Sequence, residues 1–212
     1  MDILKQISEN LRGGNDKKVL EFTKLAIEQK IPPKDILDDG LIAGMDTVGK
    51  LFKAHEIFLP DVLLAAKAMY SGMDELKPIL IREGIPTIGK VVIGTIQGDL
   101  HDIGKNLVGI MLKGAGFEVI DLGNDVSPEK FVERAKKENA KVIGMSALLT
   151  TTMQGMRKVI DLLNERGLSG EIKTIIGGAP VSEEFAREIG ADAYGYDAAS
   201  AVDRVKKLTR EK

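Results

Sequence analysis

Near Lys90 the chain changes rhythm, and that change constrains its fold more than any other feature. Beyond it, short apolar runs rich in β-branched residues alternate with amphipathic stretches of helical period. Strands are expected at 91–96, 117–122, 142–148, 172–176 and 193–196. Helices are expected around Leu107 to Leu112 and at 128–138, 152–166, 183–189 and 198–208. A strand, a crossover helix and a second parallel strand join with a right hand almost without exception. Five such strands imply an α/β domain built on a doubly wound parallel sheet. In the common order 2-1-3-4-5, a crevice opens between strands 1 and 3 at their C-terminal ends.

The first strand delivers its end into Gln97-Gly98-Asp99-Leu100-His101-Asp102, which turns abruptly polar before the next helix. His101 therefore stands on the rim where open α/β sheets bind ligands. It is one of two histidines in the chain, with a carboxylate two residues before it and another directly after. Asp99 is placed to accept a hydrogen bond from one ring nitrogen, which would fix the tautomer and leave the other nitrogen as a lone-pair donor to a metal or a proton. Gly98 and Gly104, lacking a β-carbon, would let a large flat group approach the backbone. The same loop also fits a plainer role, with His101 capping the following helix or sharing a surface hydrogen bond with Asp99.

Two more segments share this rim. Ser146-Ala147-Leu148-Leu149-Thr150-Thr151-Thr152 places four hydroxyls in seven residues before a helix, more than capping alone requires. Gly177-Gly178-Ala179 ends strand 4 with nothing bulkier than a methyl group, which fits either a tight turn or clearance for a ligand against the backbone.

Residues 1–83 read as helices throughout. Ile3, Leu4, Ile7 and Leu11 mark the first, stopped by Gly13-Gly14, and a second starts near Asn15 or Asp16. A third carries Ile36, Leu41, Met45, Val48 and Phe52, and Leu59-Pro60 opens a fourth. Four amphipathic helices with short connections make a small bundle. Residues 84–90, with Gly84, Pro86 and Gly89, read as a linker, leaving 91–212 as the α/β domain.

Composition narrows the function classes. Thirty basic against thirty-two acidic residues give a net charge of -2 with no basic stripe, so nucleic acid is not the expected partner. No apolar run approaches membrane-spanning length and the N-terminus carries charges where a signal peptide needs an apolar core, so a cytoplasmic location is expected. Without cysteine there is no thiolate ligand or nucleophile, and a metal would be held by His, carboxylate or a prebuilt cofactor.

With Gly98-Asp99-Leu100-His101-Asp102-Ile103-Gly104-Lys105-Asn106, Ser146-x-Leu148 and Gly177-Gly178 in this order, the chain resembles the cobalamin-binding module shared by methionine synthase and the corrinoid methyl-carrier proteins. The helical half, with Leu51-Phe52 followed by Ile57-Phe58-Leu59-Pro60, is similar to the cap that precedes this module. The resemblance is nearest to the small stand-alone corrinoid proteins of methanol, methylamine and methoxylated-aromatic methyltransferase systems. It implies a flavodoxin-like, Rossmann-like cobalamin-binding domain behind a four-helix cap.

The resemblance also assigns roles. His101 would be the lower axial ligand of cobalt, displacing the cofactor's own base. Gly98, Leu100, Asp102, Ile103, Gly104, Ser146, Leu148 and Thr150 would contact the cofactor, with Gly177, Gly178 and Ala198 lining the far end of its nucleotide tail. Asp99 and Thr152 would relay a proton to the axial histidine, and Phe52, Leu59 and Met45 would cover the upper, methyl-bearing face. The cofactor, cobalamin or a related corrinoid, would alternate between methylcob(III)alamin and cob(I)alamin. Partners would be a substrate-specific methyltransferase, a corrinoid:tetrahydrofolate or corrinoid:coenzyme M methyltransferase, and a reductive activase. Residues 84–90 would serve as a hinge that lets the cap move aside. Rival readings are a cobalamin-dependent sensor, an isomerase subunit, and a cofactor-free flavodoxin-like module.

Overall fold

The computed structural model describes residues 2–85 and 88–210. Two compact units emerge, Met1–Thr87 with Lys113–Gly116, and Ile88–Leu112 with Phe117–Lys212. The expected linker and hinge at 84–90 includes Pro86 and Thr87, which lie outside the described residues.

The first unit is helical. Helices α1 (Ile3–Arg12) and α2 (Asp16–Glu28) are separated by Gly13-Gly14, where Gly14 takes φ +67°. Asn15 caps the second as expected, accepting from the Lys18 amide at 3.2 Å, and Asp2 caps the first, accepting from the Leu4 amide at 3.0 Å. The third helix differs from expectation. It begins as α3 (Pro33–Asp35), widens into a π-helical stretch (Ile36–Ile42), and resumes as α4 (Ala43–Lys53). The wider turns bury Ile36, Leu41 and Ile42 as well as Met45 and Val48. The close packing of Gly40 against Ile7, 3.2 Å from where a β-carbon would lie, holds this segment tight to α1. Helix α5 (Leu59–Arg82) starts at Leu59-Pro60 as expected, with Asp61 accepting from the Phe58 amide at 2.9 Å.

The second unit is a five-stranded parallel sheet in the order β2-β1-β3-β4-β5, the common doubly wound order expected from the sequence. The strands are β1 (Lys90–Thr95), β2 (Glu118–Asp121), β3 (Val142–Ser146), β4 (Lys173–Gly177) and β5 (Ala193–Gly195). The helices are α6 (Ile103–Gly114), α7 (Pro128–Glu138), α8 (Gly155–Glu165), α9 (Glu183–Ile189) and α10 (Ala198–Arg210).

Topology dictates where each helix lies. The β1-to-β2 step runs one way along the sheet, while the steps from β2 to β3, β4 and β5 run the other way. Right-handed crossovers therefore put α6 on one face and α7, α8 and α9 on the opposite one. That second face carries a close-packed core in which Val92, Ile143, Met145 and Ile176 meet Phe131, Met156, Val159 and Leu163. Gly94 serves this packing: a β-carbon there would sit 2.7 Å from the Phe131 ring.

The α6 face is different. Gly109 brings α6 down on Ile93, while α10 packs on β5 where Ala201 meets Gly195. Between these two helices the upper row across the sheet, in register, is Thr95, Ser146, Gly177 and Gly195. Four small residues leave the C-terminal edge of this face open.

Candidate functional site

Strand β1 stops where its chain must serve the loop above it. Ile96 still pairs with a neighbour, its amide donating to the Ser146 carbonyl at 2.9 Å, and the backbone then turns through Gly98 at φ +83°. Asp125 and Asn124, which follow β2, fasten this loop. Asp125 Oδ1 accepts from the Gly98 amide at 2.7 Å, and Asn124 Nδ2 donates to the Leu100 carbonyl at 3.2 Å. From below, the Thr95 hydroxyl donates to the His101 carbonyl at 2.8 Å.

Asp99 is the centre of the loop. Fully buried, it accepts five hydrogen bonds. Oδ1 takes the His101 amide at 3.0 Å and faces His101 Nδ1 at 2.7 Å. Oδ2 takes the Leu148 amide at 2.7 Å, the Leu149 amide at 3.3 Å and the Thr152 hydroxyl at 3.0 Å. Burial by itself pushes a carboxyl pKa up. Here the Leu148 and His101 amides, the His101 ring and the Thr152 hydroxyl outweigh it and hold Asp99 well below the ordinary carboxylate range. A carboxylate so held accepts only, so Nδ1 of His101 carries a proton. In the neutral ring, Nε2 then keeps its lone pair.

These bonds also explain two boundaries. Strand β3 ends at Ser146 rather than at 148: the Ala147 amide still donates to the Gly177 carbonyl at 3.2 Å, but the Leu148 and Leu149 amides turn to Asp99 instead of to a neighbouring strand. Helix α8 begins at Gly155 rather than at 152, because Thr152 belongs to the turn that caps Asp99.

Around the half-exposed imidazole the surface is apolar. Leu100 and Ile103 are 70% and 77% exposed, and Leu148 and Leu149 are 44% and 41% exposed. Four large aliphatic side chains exposed on the loops that carry His101 and hold Asp99 suit a broad, flat ligand, since apolar area left in water is otherwise unfavourable.

Beside this surface a cavity of about 490 Å³ opens between α6 and α10, over β1, β3, β4 and β5. Of the residues expected from sequence, Gly104, Ser146, Gly177, Gly178 and Ala198 line it. Gly104 has open space where a β-carbon would lie. Gly178 is required by the chain itself, at φ +124° with a β-carbon only 1.8 Å from the Ala147 carbonyl oxygen. Gly98, Leu100, Asp102, Ile103 and Leu148 belong to the rim around His101. Asp102 uses its carbonyl to accept the Asn106 amide at 2.7 Å, and Thr150 is exposed on the turn before α8. Met45, Phe52 and Leu59 belong to the helical unit, where Met45 is buried and Leu59 is 37% exposed.

Several functional partners escaped sequence reasoning. Leu149 contributes through its amide, Thr95 through a hydroxyl at the strand's end, and Asn124 and Asp125 from a loop more than twenty residues away. Lys105 is buried, with Nζ donating to Asp121 Oδ2 and Asn106 Oδ1, both at 2.6 Å. Its place directly after Gly104, at the start of a helix on the rim, was the available signal.

An imidazole with one nitrogen fixed, an apolar rim and an adjoining cavity together fit a planar metal-bearing cofactor with a side arm. One histidine supplies one ligand. Among the described residues no group of three or more His, Cys, Asp or Glu could hold a metal ion, and no helix is long and apolar enough to cross a membrane.

Comparison with known proteins finds that residues 89–203 match the family described as B12 binding domain, and residues 3–77 match a second family of the same description. The chain is 44% identical over 206 residues to dimethylamine corrinoid protein 3 of Methanosarcina acetivorans, covering 97% of this chain and 96% of that one. It is 39% identical over 211 residues to a corrinoid protein of Desulfitobacterium hafniense, covering 98% of each. Among solved structures, the methanol:cobalamin methyltransferase complex of Methanosarcina barkeri superposes with a TM-score of 0.87 at 34% identity, over 99% of this chain and 80% of that one. A cobalamin-binding protein from Desulfitobacterium hafniense superposes with a TM-score of 0.80 at 31% identity, over 98% of each chain.

Proposed function

The chain belongs to the family of B12-binding domains, and on that premise we propose that it is a corrinoid protein that carries a methyl group between two enzymes. The observation that carries this reading is the Asp99–His101 pair, 2.7 Å apart, beside the cavity. When bound, the corrinoid supplies a cobalt centre able to accept a methyl group from one donor and yield it to an acceptor.

The chain's own residues do the rest. His101 would hold the cobalt through Nε2, and Asp99 keeps the proton on Nδ1 so that this lone pair is available. The same 2.7 Å contact fixes the orientation of the imidazole whether or not Nε2 is engaged as a ligand. Thr152 and the Leu148 and Leu149 amides hold that carboxylate ionised throughout. Leu100, Ile103, Leu148 and Leu149 give the flat ring an apolar seat. Ser146, Gly177, Gly178 and Ala198 leave room for its nucleotide arm. For Met45, Phe52 and Leu59 we keep the role of an apolar screen for the methyl-bearing side, and for 84–90 that of a hinge.

Supporting the carrier role are relatives named as dimethylamine and trimethylamine corrinoid proteins and the likeness to the methanol:cobalamin methyltransferase complex. Docking to a substrate-specific methyltransferase follows by analogy with that complex. Transfer onward to tetrahydrofolate or coenzyme M, and repair by a reductive activase, complete the proposal.

The test is His101→Ala. Visible and electron paramagnetic resonance spectra of the corrinoid-loaded wild type should show a protein nitrogen on cobalt, and the variant should fold, bind more weakly and lose that signature. An identical spectrum in the variant removes His101 from the ligand role.

A further inference from the structure

Polar side chains in the cavity are confined to its entrance. Lys105, Ser146, Tyr196 and Asp197 stand at the C-terminal ends of the strands and the first turns of α6 and α10. Lys105 is already bound to Asp121 and Asn106, and Asp197 Oδ1 accepts the Ser200 amide at 2.6 Å.

Deeper in, the chemistry changes. Because β1 rises toward the entrance while α6 and α10 descend from it, Ile93, Val108 and Ile175 line the middle, and Val91, Leu112 and Val205 close the deep end. Tyr194 touches the cavity only through its place in β5, since its ring packs with the core on the opposite face of the sheet. The backbone groups of β1, β3 and β4 at this depth are engaged in the parallel ladder. A polar edge pushed to the bottom would leave water and find no partner.

We infer that this cavity selects among corrinoids by their lower base, accepting a benzimidazole-type base with hydrocarbon edges and disfavouring a purine. The inference rests on the proposed function, in which the nucleotide arm of the corrinoid occupies the cavity. Dimethylbenzimidazole presents methyl groups and C–H edges to Val91, Leu112 and Val205. Adenine presents an exocyclic amine and additional ring nitrogens to the same wall. Each buried polar group left without a partner weakens binding by a factor of about 10 or more.

The experiment titrates the full-length apoprotein, by equilibrium dialysis read by visible absorbance, with three probes: cobalamin, its adenine-based analogue, and cobinamide, which lacks a lower base. Cobalamin should bind tightest and the adenine form on the order of 100-fold more weakly, near cobinamide. Val91→Thr, which keeps shape and adds a hydroxyl at the deep end, should narrow the gap between the two complete corrinoids. Val205→Thr, also at the deep end, serves the same purpose should Val91→Thr fail to fold. Equal affinity for the adenine form, or cobinamide binding as tightly as cobalamin, overturns the inference while leaving the carrier role standing. Binding of none of the three overturns the carrier role itself.

Discussion

Replacing Asp99 with Asn should do more than weaken a hydrogen bond: it should turn the imidazole of His101 into the wrong tautomer. Oδ2 receives three donors and Oδ1 two, so the amide oxygen settles best at the Oδ2 position, keeping Leu148, Leu149 and Thr152. The new NH2 group then faces His101 Nδ1, which can accept from it only by giving up its proton. The ring proton moves to Nε2, the atom that the proposed ligand role needs bare. The His101 amide is left opposed to a donor, a loss of about 1–3 kcal/mol. The three retained bonds fall from charge-assisted to neutral strength. Partial relief from burying a charge offsets some of this, leaving a net destabilisation of about 3 kcal/mol at neutral pH. Urea unfolding followed by far-UV circular dichroism measures the stability. Long-range nitrogen–proton NMR correlations on the apoprotein report which ring nitrogen is protonated. Corrinoid affinity should fall at least about tenfold, equivalent to about 1.4 kcal/mol. A variant within 1 kcal/mol of wild type that still protonates Nδ1 would refute the reasoning.

Acid should act on the same carboxylate. Its pKa is depressed by folding, so its contribution is fully present above the unfolded value of about 3.9 and is lost as pH falls through the lower folded value; urea midpoints between pH 7 and pH 3 should show a decline at the acid end that is smaller in Asp99→Asn. Thr152→Val, isosteric but without the hydroxyl, should cost about 1 kcal/mol in the same unfolding assay, whereas Thr152→Ser should stay near wild type. Gly178→Ala forces a β-carbon into the Ala147 carbonyl at φ +124° and should destabilise by more than about 2 kcal/mol, read as a fall of several degrees in Tm.

The sheet and its order were legible because alternation between β-branched runs and helical periods leaves few topologies once right-handed crossovers are imposed. The Asp99–His101 pair was legible because two residues apart on a tight loop is within hydrogen-bond reach. What Asp99 does with its other oxygen was only partly visible. Thr152 carried a hydroxyl that flagged it, but the Leu148 and Leu149 amides have no side-chain signature, and 49 and 50 residues separate them from Asp99. The same holds for Asp125 holding the Gly98 amide. The π-helical stretch at Ile36–Ile42 was hidden too, because Ile36, Leu41 and Met45 fit an ordinary helix nearly as well as the widened one. The depth profile of the cavity needs helix direction against strand direction, which periodicity along the chain does not encode.

Those long-separated donors govern when the site comes into being. On a ribosome, a nascent chain that has emerged only as far as α7 already displays Asp99 and His101, yet the Leu148 and Leu149 amides and the Thr152 hydroxyl that fix the second carboxylate oxygen have still to be synthesised. The loop therefore reaches its final geometry only once β3 has docked beside β1.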